Sequence, residues 1–367
     1  MGLKRDIFEY GIAAARHAYT FRTVERPRSI FVLRNNDLGD LTVITPLFCA
    51  LRSAFPEARI VAGVGKWSKE ILKYNPHISE IIECNAPWHN KFTGDQSLRK
   101  SINYIFRSDE VRALKAQHFD VGIDVLGSQL GSLLLIHMGI PVRLGRKGYA
   151  GGHRAATAYL NASKEESVAK GSARFVNLIS PSADIDIDLR PQLFLSDLEN
   201  RIAEEMWGQI SKSPNQRFPR IVIAPGAGFA DKQWPAHLFG ALVKRLSQWS
   251  CGYVIGSSHE RAVADQIIAT AERWKNKCGE VSLRESMALI STADLVISNS
   301  SLTMHLAAGF SKPCIVLLNR VHDPTSHRIL WEIEGLHHQM FPKDGDQYVS
   351  IDDVESQVRM LLKIPAV

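Results

Sequence analysis

Two series of alternating strand and helix patterns restrict the fold of this chain more than any other sequence feature. In the N-terminal half, short β-branched runs such as residues 29–34 (SIFVLR) and 59–64 (RIVAGV) alternate with amphipathic stretches. A second alternating series begins at residue 220 and continues to 319. Because strands that alternate with helices form parallel, doubly wound sheets, the sequence predicts an α/β protein with two such domains.

The length of the chain supports two domains. Its 367 residues exceed one ordinary core and suit two domains of roughly 150 to 200 residues each. We predict an N-terminal domain over residues 1–195, a C-terminal domain over 196–345 and a closing helix within 346–367. Residues 3–21 also have helical spacing, which indicates either a helix packed on the first domain or one lying on a membrane surface.

Charge and hydropathy narrow the possible partners and the compartment. A net charge of +6 and a pI near 9.0 favour a polyanionic partner: a phosphorylated lipid surface, a nucleotide or a nucleic acid. No dense Lys/Arg run interleaved with aromatics is present, so we expect no nucleic-acid binding.

No segment approaches about 18 uninterrupted apolar residues, and charges interrupt the N-terminal stretch where a signal peptide would be apolar. We therefore expect a cytoplasmic protein.

Metal and dinucleotide motifs are missing from the sequence. The five cysteines are scattered with no C-x-x-C pair, and no H-E-x-x-H motif occurs. The alternating run DIDID, residues 184–188, suits an exposed strand or linker better than a metal site. Neither a G-x-G-x-x-G fingerprint nor a P-loop follows a predicted strand. We expect no metal and no bound cofactor.

Four loops at predicted strand ends carry most of the residues suited to chemistry. Open α/β sheets bind ligands at the carboxyl ends of their strands, so side chains in these loops would face a ligand. The loops are NNDLGD (35–40), APGAGFADKQW (224–234), GSSHE (256–260) and SNSSLT (298–303).

Asp40 is the candidate general base. It follows a glycine at the exit of a buried strand, just before a predicted helix in which Pro46 occupies the first turn. A carboxylate there could accept the proton of a substrate hydroxyl. The alternative is that Asp40 only caps the helix.

The loops of the second series suggest an anion site. Gly226 and Gly228 let the backbone approach an anion, and Lys232 would supply positive charge, unless it is simply a solvated lysine. Glu260 is placed to accept hydrogen bonds from sugar or ribose hydroxyls, although a first-turn Glu also serves the helix dipole. Ser300 and Ser301 at a helix start could cap the helix or border an anion site.

Taken in order, the four loops resemble the lipopolysaccharide heptosyltransferase family (glycosyltransferase family 9). The matching segments are LGDLTVITPLFCALRSAFPEARI, APGAGFADKQWP, GSSHE and ISNSSLTMHLAAGFSKPCIVLLN. The resemblance implies a GT-B fold, two Rossmann-like domains facing across a cleft, and an inverting, metal-independent glycosyl transfer. It implies that Asp40 is the general base and that Lys232 stabilises the diphosphate leaving group.

The same resemblance assigns a donor site. Glu260 would hold the ribose side of the nucleotide, and the N-terminus of the SSLTMH helix would bind the phosphates. The nucleotide-binding set is Gly226, Lys232, Glu260, Met287, Ser300, Ser301 and His305, although a histidine at position 305 is by default a packing residue. The family commonly reads Asn-Asp-Ser/Thr-Gly-x-x-His in its last motif, whereas this chain has Ser300 for the Asp and Leu302 for the Gly.

The implied reaction moves a heptose or similar sugar from a nucleotide sugar, with ADP-heptose as the expected donor. The acceptor would be a lipopolysaccharide-core, lipid-linked or related saccharide, which could bring the protein to the inner membrane face as a peripheral protein. Two alternatives stay open: a relative that binds a sugar nucleotide or a partner without transfer, and a GT-B-like sugar-nucleotide epimerase.

Overall fold

The computed structural model divides the chain into two compact units, Met1–Gln192 and Leu193–Val367. The structure describes residues 24, 26–148, 150–183, 186–211 and 217–365. The helix predicted over 3–21 lies outside these residues. Within the described ranges, no helix is both long and apolar enough to cross a membrane.

A parallel sheet of six strands forms the centre of the first unit. The strands are β1 (Ser29–Leu33), β2 (Arg59–Val64), β3 (Glu80–Glu83), β4 (Val121–Asp124), β5 (Val142–Lys147) and β6 (Ala158–Asn161). Their order across the sheet is β3-β2-β1-β4-β5-β6. The chain therefore starts in the middle of the sheet, builds one side and then crosses to the other, so the order reverses between β1 and β4.

Helices connect these strands, as expected for parallel neighbours. They are α1 (Leu38–Val43), α2 (Pro46–Ala54), α3 (Lys69–Leu72), α4 (Leu98–Arg107), α5 (Asp109–Lys115), α6 (Gln129–His137) and α7 (Val168–Ala173). Pro46 is the first residue of α2, where its missing N–H removes no intrahelical bond. In β1, the side chains of Ile30, Phe31 and Val32 are fully buried, as expected for a sheet that is covered on both faces.

The second unit repeats this arrangement. Its strands are β7 (Arg220–Ala224), β8 (Cys251–Val254), β9 (Trp274–Asn276), β10 (Leu295–Asn299), β11 (Cys314–Leu317) and β12 (His337–Met340). They form a parallel sheet in the order β12-β11-β10-β7-β8-β9. Counted from β7, this is the same strand order as in the first unit, and the reversal falls between β7 and β10.

The helices of the second unit include the predicted closing helix. They are α8 (Asp197–Ile210), α9 (Ala236–Leu246), α10 (Arg261–Ile268), α11 (Leu283–Ser291), α12 (Leu302–Gly309), α13 (Pro324–Trp331) and α14 (Ile351–Leu362). Val354 and Val358 of α14 join the core of this unit beside Phe239 of α9. The two sheets confirm the prediction of two doubly wound α/β domains.

Several local predictions differ from the structure. The loop NNDLGD runs directly into the short helix α1, where the sequence predicted only a loop before α2. The polar stretch 86–108 contains α4, and the weakly periodic segment 143–188 contributes β5 and β6. The apolar spacing of residues 260–274 predicts one helix, but these residues form the shorter α10 and then enter β9 at Trp274.

Candidate functional site

The loops that carry Asp40, Lys232 and Ser300 lie at the two points where strand order reverses. In the first unit, the loop after β1 and the loop after β4 leave neighbouring strands. In the second unit, the loops after β7 and β10 do the same. The reversal of strand order leaves a crevice at the carboxyl ends of such neighbouring strands, which is where α/β sheets bind ligands.

Asp40 lies in the first turn of α1, held by an arginine from the end of β1. The helix begins after Asp37, so Asp40 is not the capping residue. Arg34 Nη2 lies 3.3 Å from Asp40 Oδ1, and the Asp40 side chain is 42% exposed whereas that of Arg34 is 7% exposed. No residue that the structure describes bonds to Asp40 Oδ2. The carboxylate is thus fixed on one side and open to solvent on the other.

A buried carboxylate lies on the neighbouring strand of the same crevice. Asp124 ends β4, and its Oδ2 accepts hydrogen bonds from the backbone N–H and the hydroxyl of Ser128 at 2.7 and 3.1 Å. Burial raises the pKa of Asp124 to about 6, although the Ser128 bonds oppose the shift. Asp124 therefore shapes the loop before α6. No sequence motif points to Asp124, because a buried Asp at the end of a strand has no characteristic spacing.

In the second unit, Asn299 connects the two loops of the candidate donor site. Its Nδ2 donates to the carbonyl oxygen of Pro225 at 2.6 Å, and its Oδ1 accepts from the backbone N–H of Trp234 at 2.9 Å. Asn299 is fully buried at the end of β10. The loop that carries Gly226 and Lys232 is therefore anchored directly beside the start of α12.

Lys232 supplies an unpaired positive charge in this loop. It ends a short 3₁₀ turn, Ala230–Lys232, and its Nζ lies 5.3 Å from the centre of the Phe229 ring. Within the described part of the chain, Lys232 forms no ion pair. Burial lowers the pKa values of His322 and His327, and the charge of Lys232 lowers them further. The ammonium group is therefore close to the end of the sheet where α12 begins.

Glu260 is only partly available to a ligand. Its Oε2 accepts hydrogen bonds from the backbone N–H of Ser257 at 2.7 Å and from the Ser257 hydroxyl at 2.5 Å. The other oxygen, Oε1, faces Gly226, where a Cβ atom would come within 2.9 Å of it. The helix-capping alternative is thus observed for one oxygen, and the second oxygen lies beside the glycine loop.

Ser300 and Ser301 differ in what they contact. Ser301 is the residue before α12, and its side chain makes no capping hydrogen bond. The first backbone N–H groups of an α-helix have no intrahelical acceptor, so the N-terminus of α12 can bind an anion. Ser300 Oγ lies 2.9 Å from Nε2 of the buried His327, and His327 Nδ1 lies 2.9 Å from Gln339 Oε1.

His305 and Met287 are buried in the second unit. The His305 ring centre lies 5.5 Å from that of Trp331 and 6.4 Å from that of His337. Burial lowers the pKa of His305 to about 3, so the imidazole is neutral. Met287 of α11 is fully buried. These contacts favour the packing role for His305, and donor binding by either residue stays a prediction.

Several residues of this region were not singled out by the sequence. Asn319, after β11, donates to the carbonyl oxygen of Asp231 at 2.5 Å and its Oδ1 lies 3.1 Å from His322 Nδ1. Like the contact between Ser300 and His327, the contact between Asn319 and Asp231 joins residues far apart in the sequence, so no local motif predicts it. Among the residues that the structure describes, no cluster of His, Cys, Asp and Glu could hold a metal ion, and Asp188 of the DIDID run binds Arg190 instead.

Sequence comparison relates this chain to known proteins. Residues 108–331 match the profile of glycosyltransferase family 9 (heptosyltransferase). The chain is 23% identical over 326 residues to lipopolysaccharide heptosyltransferase 2 of Escherichia coli (strain K12), covering 84% of this chain and 89% of that protein. It is 24% identical over 331 residues to lipopolysaccharide heptosyltransferase 2 of Salmonella typhimurium, with the same coverage of each chain.

Solved structures share the fold. A glycosyl transferase family 9 protein from Veillonella parvula superimposes with a TM-score of 0.77 at 17% identity, covering 92% of this chain and 98% of that one. E. coli ADP-heptose LPS heptosyltransferase II superimposes with a TM-score of 0.73 at 21% identity, covering 91% and 98%. The predicted class, two Rossmann-like domains of the GT-B type, is confirmed.

Proposed function

The chain belongs to glycosyltransferase family 9, the heptosyltransferase family, and from this membership we propose that it transfers a heptose from ADP-heptose to a lipopolysaccharide-core or related saccharide. The proposed donor follows the relatives: E. coli heptosyltransferase WaaC has been solved with ADP and with ADP-2-deoxy-2-fluoro heptose. The proposed acceptor follows the lipopolysaccharide heptosyltransferases that this chain resembles along most of its length.

The observation that carries the proposal is the Asn299 contact with the Lys232 loop. A leaving diphosphate develops negative charge, and charge-assisted donors fixed in advance stabilise it most effectively. Asn299 brings the end of the glycine loop to the end of β10, where α12 begins. In this proposal the N-terminal N–H groups of α12 and the Lys232 ammonium bind the two phosphates.

The remaining donor contacts follow from the order of the strands. Glu260 follows β8, on the far side of β7 from α12, and Gly226 lies beside its Oε1. We place the ribose there, with its hydroxyls donating to Oε1. A side chain at Gly226 would collide with this carboxylate, so the glycine lets Glu260 lie against the loop.

Asp40 is the proposed general base. Transfer with inversion requires one proton to leave the acceptor hydroxyl as its oxygen attacks the anomeric carbon and the nucleoside diphosphate departs. Arg34 orients the carboxylate through Oδ1, and Oδ2 has no partner among the described residues, so Oδ2 is the atom that would accept the proton. The basic charge of the chain suits an anionic, phosphorylated acceptor at a membrane surface.

Two measurements test the proposal. The first is a thermal-shift screen with ADP, UDP and GDP, in which we expect selective stabilisation by ADP, because a ligand that binds the native state raises apparent stability. The second is release of ADP from ADP-heptose with and without a heptose-deficient lipopolysaccharide acceptor, followed by mass spectrometry of the acceptor. Binding of ADP without acceptor-dependent release would favour a binding protein, and release without acceptor would favour an epimerase-like reaction. Selective binding of UDP or GDP would refute the ADP donor.

A further inference from the structure

Ser300, His327 and Gln339 form a hydrogen-bonded chain at the edge of the proposed donor site. Ser300 precedes α12, His327 lies on α13, and Gln339 lies on β12. The two contacts, Ser300 Oγ to His327 Nε2 and His327 Nδ1 to Gln339 Oε1, both measure 2.9 Å. His327 is 6% exposed, so water has little access to its two ring nitrogens.

The orientation of the Gln339 amide, whose Oε1 faces His327 Nδ1, sets the direction of the hydrogen bonds. The carbonyl oxygen of Gln339 can only accept, so His327 Nδ1 carries the ring proton. Burial lowers the pKa of His327 to about 4, and the neighbouring His322, His337 and Lys232 lower it as well, against the raising effect of Gln339. The ring is therefore neutral at pH 7, its Nε2 has a free lone pair, and the Ser300 hydroxyl donates its single proton to that atom.

A serine whose proton is committed in this way offers only lone pairs to a ligand. Ser300 is half-buried, and its hydroxyl has two acceptor sites besides the proton that it donates. The diphosphate of a nucleotide also presents only acceptor oxygens at neutral pH. Ser300 cannot hydrogen-bond to such a phosphate without breaking its bond to His327, so its natural ligand is a hydroxyl group.

The strand order indicates which hydroxyl this is. Glu260, the proposed ribose contact, follows β8, whereas Ser300 follows β10 and its supports lie on α13 and β12. The proposed phosphate site at α12 and Lys232 lies at the reversal of strand order between these two sides. A nucleotide sugar with its ribose toward β8 therefore directs its transferred sugar toward Ser300.

We propose that His327, oriented by Gln339, positions the Ser300 hydroxyl as an acceptor for a hydroxyl of the sugar that is transferred. This inference rests on the proposed donor site. A carboxylate at position 300 could accept this hydrogen bond, and here the neutral pair of Ser300 and His327 takes that role. His327 and Gln339 are then positioning residues for recognition of the sugar.

The experiment compares the affinity for ADP-heptose with that for ADP alone, measured by calorimetry on the full chain. In Ser300→Ala and His327→Leu, we expect the affinity for ADP-heptose to fall about five- to tenfold, the effect of one hydrogen bond, while the affinity for ADP changes less than about twofold. In His327→Gln, a side-chain oxygen can still accept the Ser300 proton, so we expect ADP-heptose affinity within about threefold of wild type. His237→Leu, at an exposed position on α9, is the matched control.

The outcomes separate this inference from the proposed function. Equal losses of ADP and ADP-heptose affinity in both variants would show a structural role for the Ser–His pair and overturn the inference, as would unchanged ADP-heptose affinity. In wild type, the ratio of the two affinities should stay constant from pH 6 to 8. A step near pH 6.5 would overturn the neutral-acceptor assignment. A wild-type protein that binds neither ligand would overturn the proposed function and this inference with it.

Discussion

The side-chain oxygen of Asn299 accepts a hydrogen bond from the backbone N–H of Trp234 at 2.9 Å, across 65 positions of sequence. Both groups are buried, and the Trp234 indole N–H donates at 3.0 Å to the carbonyl oxygen of Val349. Lys232 lies two residues before Trp234, so the location of its charge depends on this contact. The position of the loop that carries Lys232 therefore depends on contacts with distant parts of the second unit.

Replacing Asn299 with alanine should destabilise the protein and weaken nucleotide binding. The substitution leaves the Trp234 N–H and the Pro225 carbonyl without their buried partner, so we expect the free energy of unfolding to fall by about 2–4 kcal/mol in urea denaturation. Nucleotide affinity should fall because Lys232 loses its anchor. Asn103→Ala, at an exposed position of α4, is the control. Unchanged unfolding of the Asn299 variant would contradict the anchoring role.

Removing the charge of Lys232 should weaken the diphosphate contact. A hydrogen bond to a charged group contributes about 1.5–3 kcal/mol, so Lys232→Ala should lower ADP affinity and kcat/KM about 10- to 100-fold. Lys232→Arg keeps the charge and should retain more activity than the alanine variant. Lys244→Ala removes the same charge from an exposed site on α9 and should leave ADP affinity unchanged. Equal ADP affinity in wild type and Lys232→Ala would remove Lys232 from the site.

Asp40→Asn should reduce turnover without reducing donor binding. The amide keeps the size of the side chain but cannot accept the acceptor proton, and general-base catalysis typically contributes about 10²- to 10⁴-fold. We expect kcat to fall at least about 100-fold and the affinity for ADP-heptose to stay within about twofold. Asp37→Asn, three residues earlier, is the matched control because Asp37 contacts the exposed Lys91. Normal turnover in Asp40→Asn would refute the assignment.

The repeated strand order could be anticipated because it depends on a strong local pattern. Buried β-branched runs such as those of β1 and β7 predict strands wherever they occur. The sequence does not predict the helix α4, because the exposed Leu98 and Phe106 on its outward side obscure the separation of apolar and polar faces. Likewise, the sequence predicts that the helix continues to Trp274, the first residue of β9, because the apolar helical pattern runs up to it without a break.

The candidate site was only partly visible in the sequence. Lys232 and Ser300 lie in loops that follow predicted strands, so their position at the carboxyl end of the sheet could be inferred from the sequence. Their supports could not: Asn299 acts on Trp234 through space, and His327 reaches Ser300 from a helix that begins more than twenty positions later. Such tertiary hydrogen bonds produce no periodic pattern in the sequence. They nevertheless determine which polar atoms stay free to bind a ligand.

A buried ion pair in the second unit should make stability depend on pH. Glu199 of α8 accepts hydrogen bonds from Arg284 Nε and Nη2 of α11 at 2.8 and 2.7 Å. The side chains are 14% and 6% exposed. The Arg284 hydrogen bonds lower the pKa of Glu199 to about 2, with smaller contributions from Ser196 and against the effect of burial, whereas the ordinary value is 4.5.

Because the folded-state pKa lies below the unfolded value, the stabilisation is fully present above about pH 4.5 and is lost as pH falls toward 2. We expect Glu199→Gln to lower the free energy of unfolding by about 2–3 kcal/mol at pH 7. Between pH 5 and 3, wild type should lose stability more steeply than this variant in urea denaturation. Glu205→Gln, at an exposed position of the same helix, should keep the wild-type slope. Parallel curves for wild type and Glu199→Gln would mean that the pair does not control acid stability.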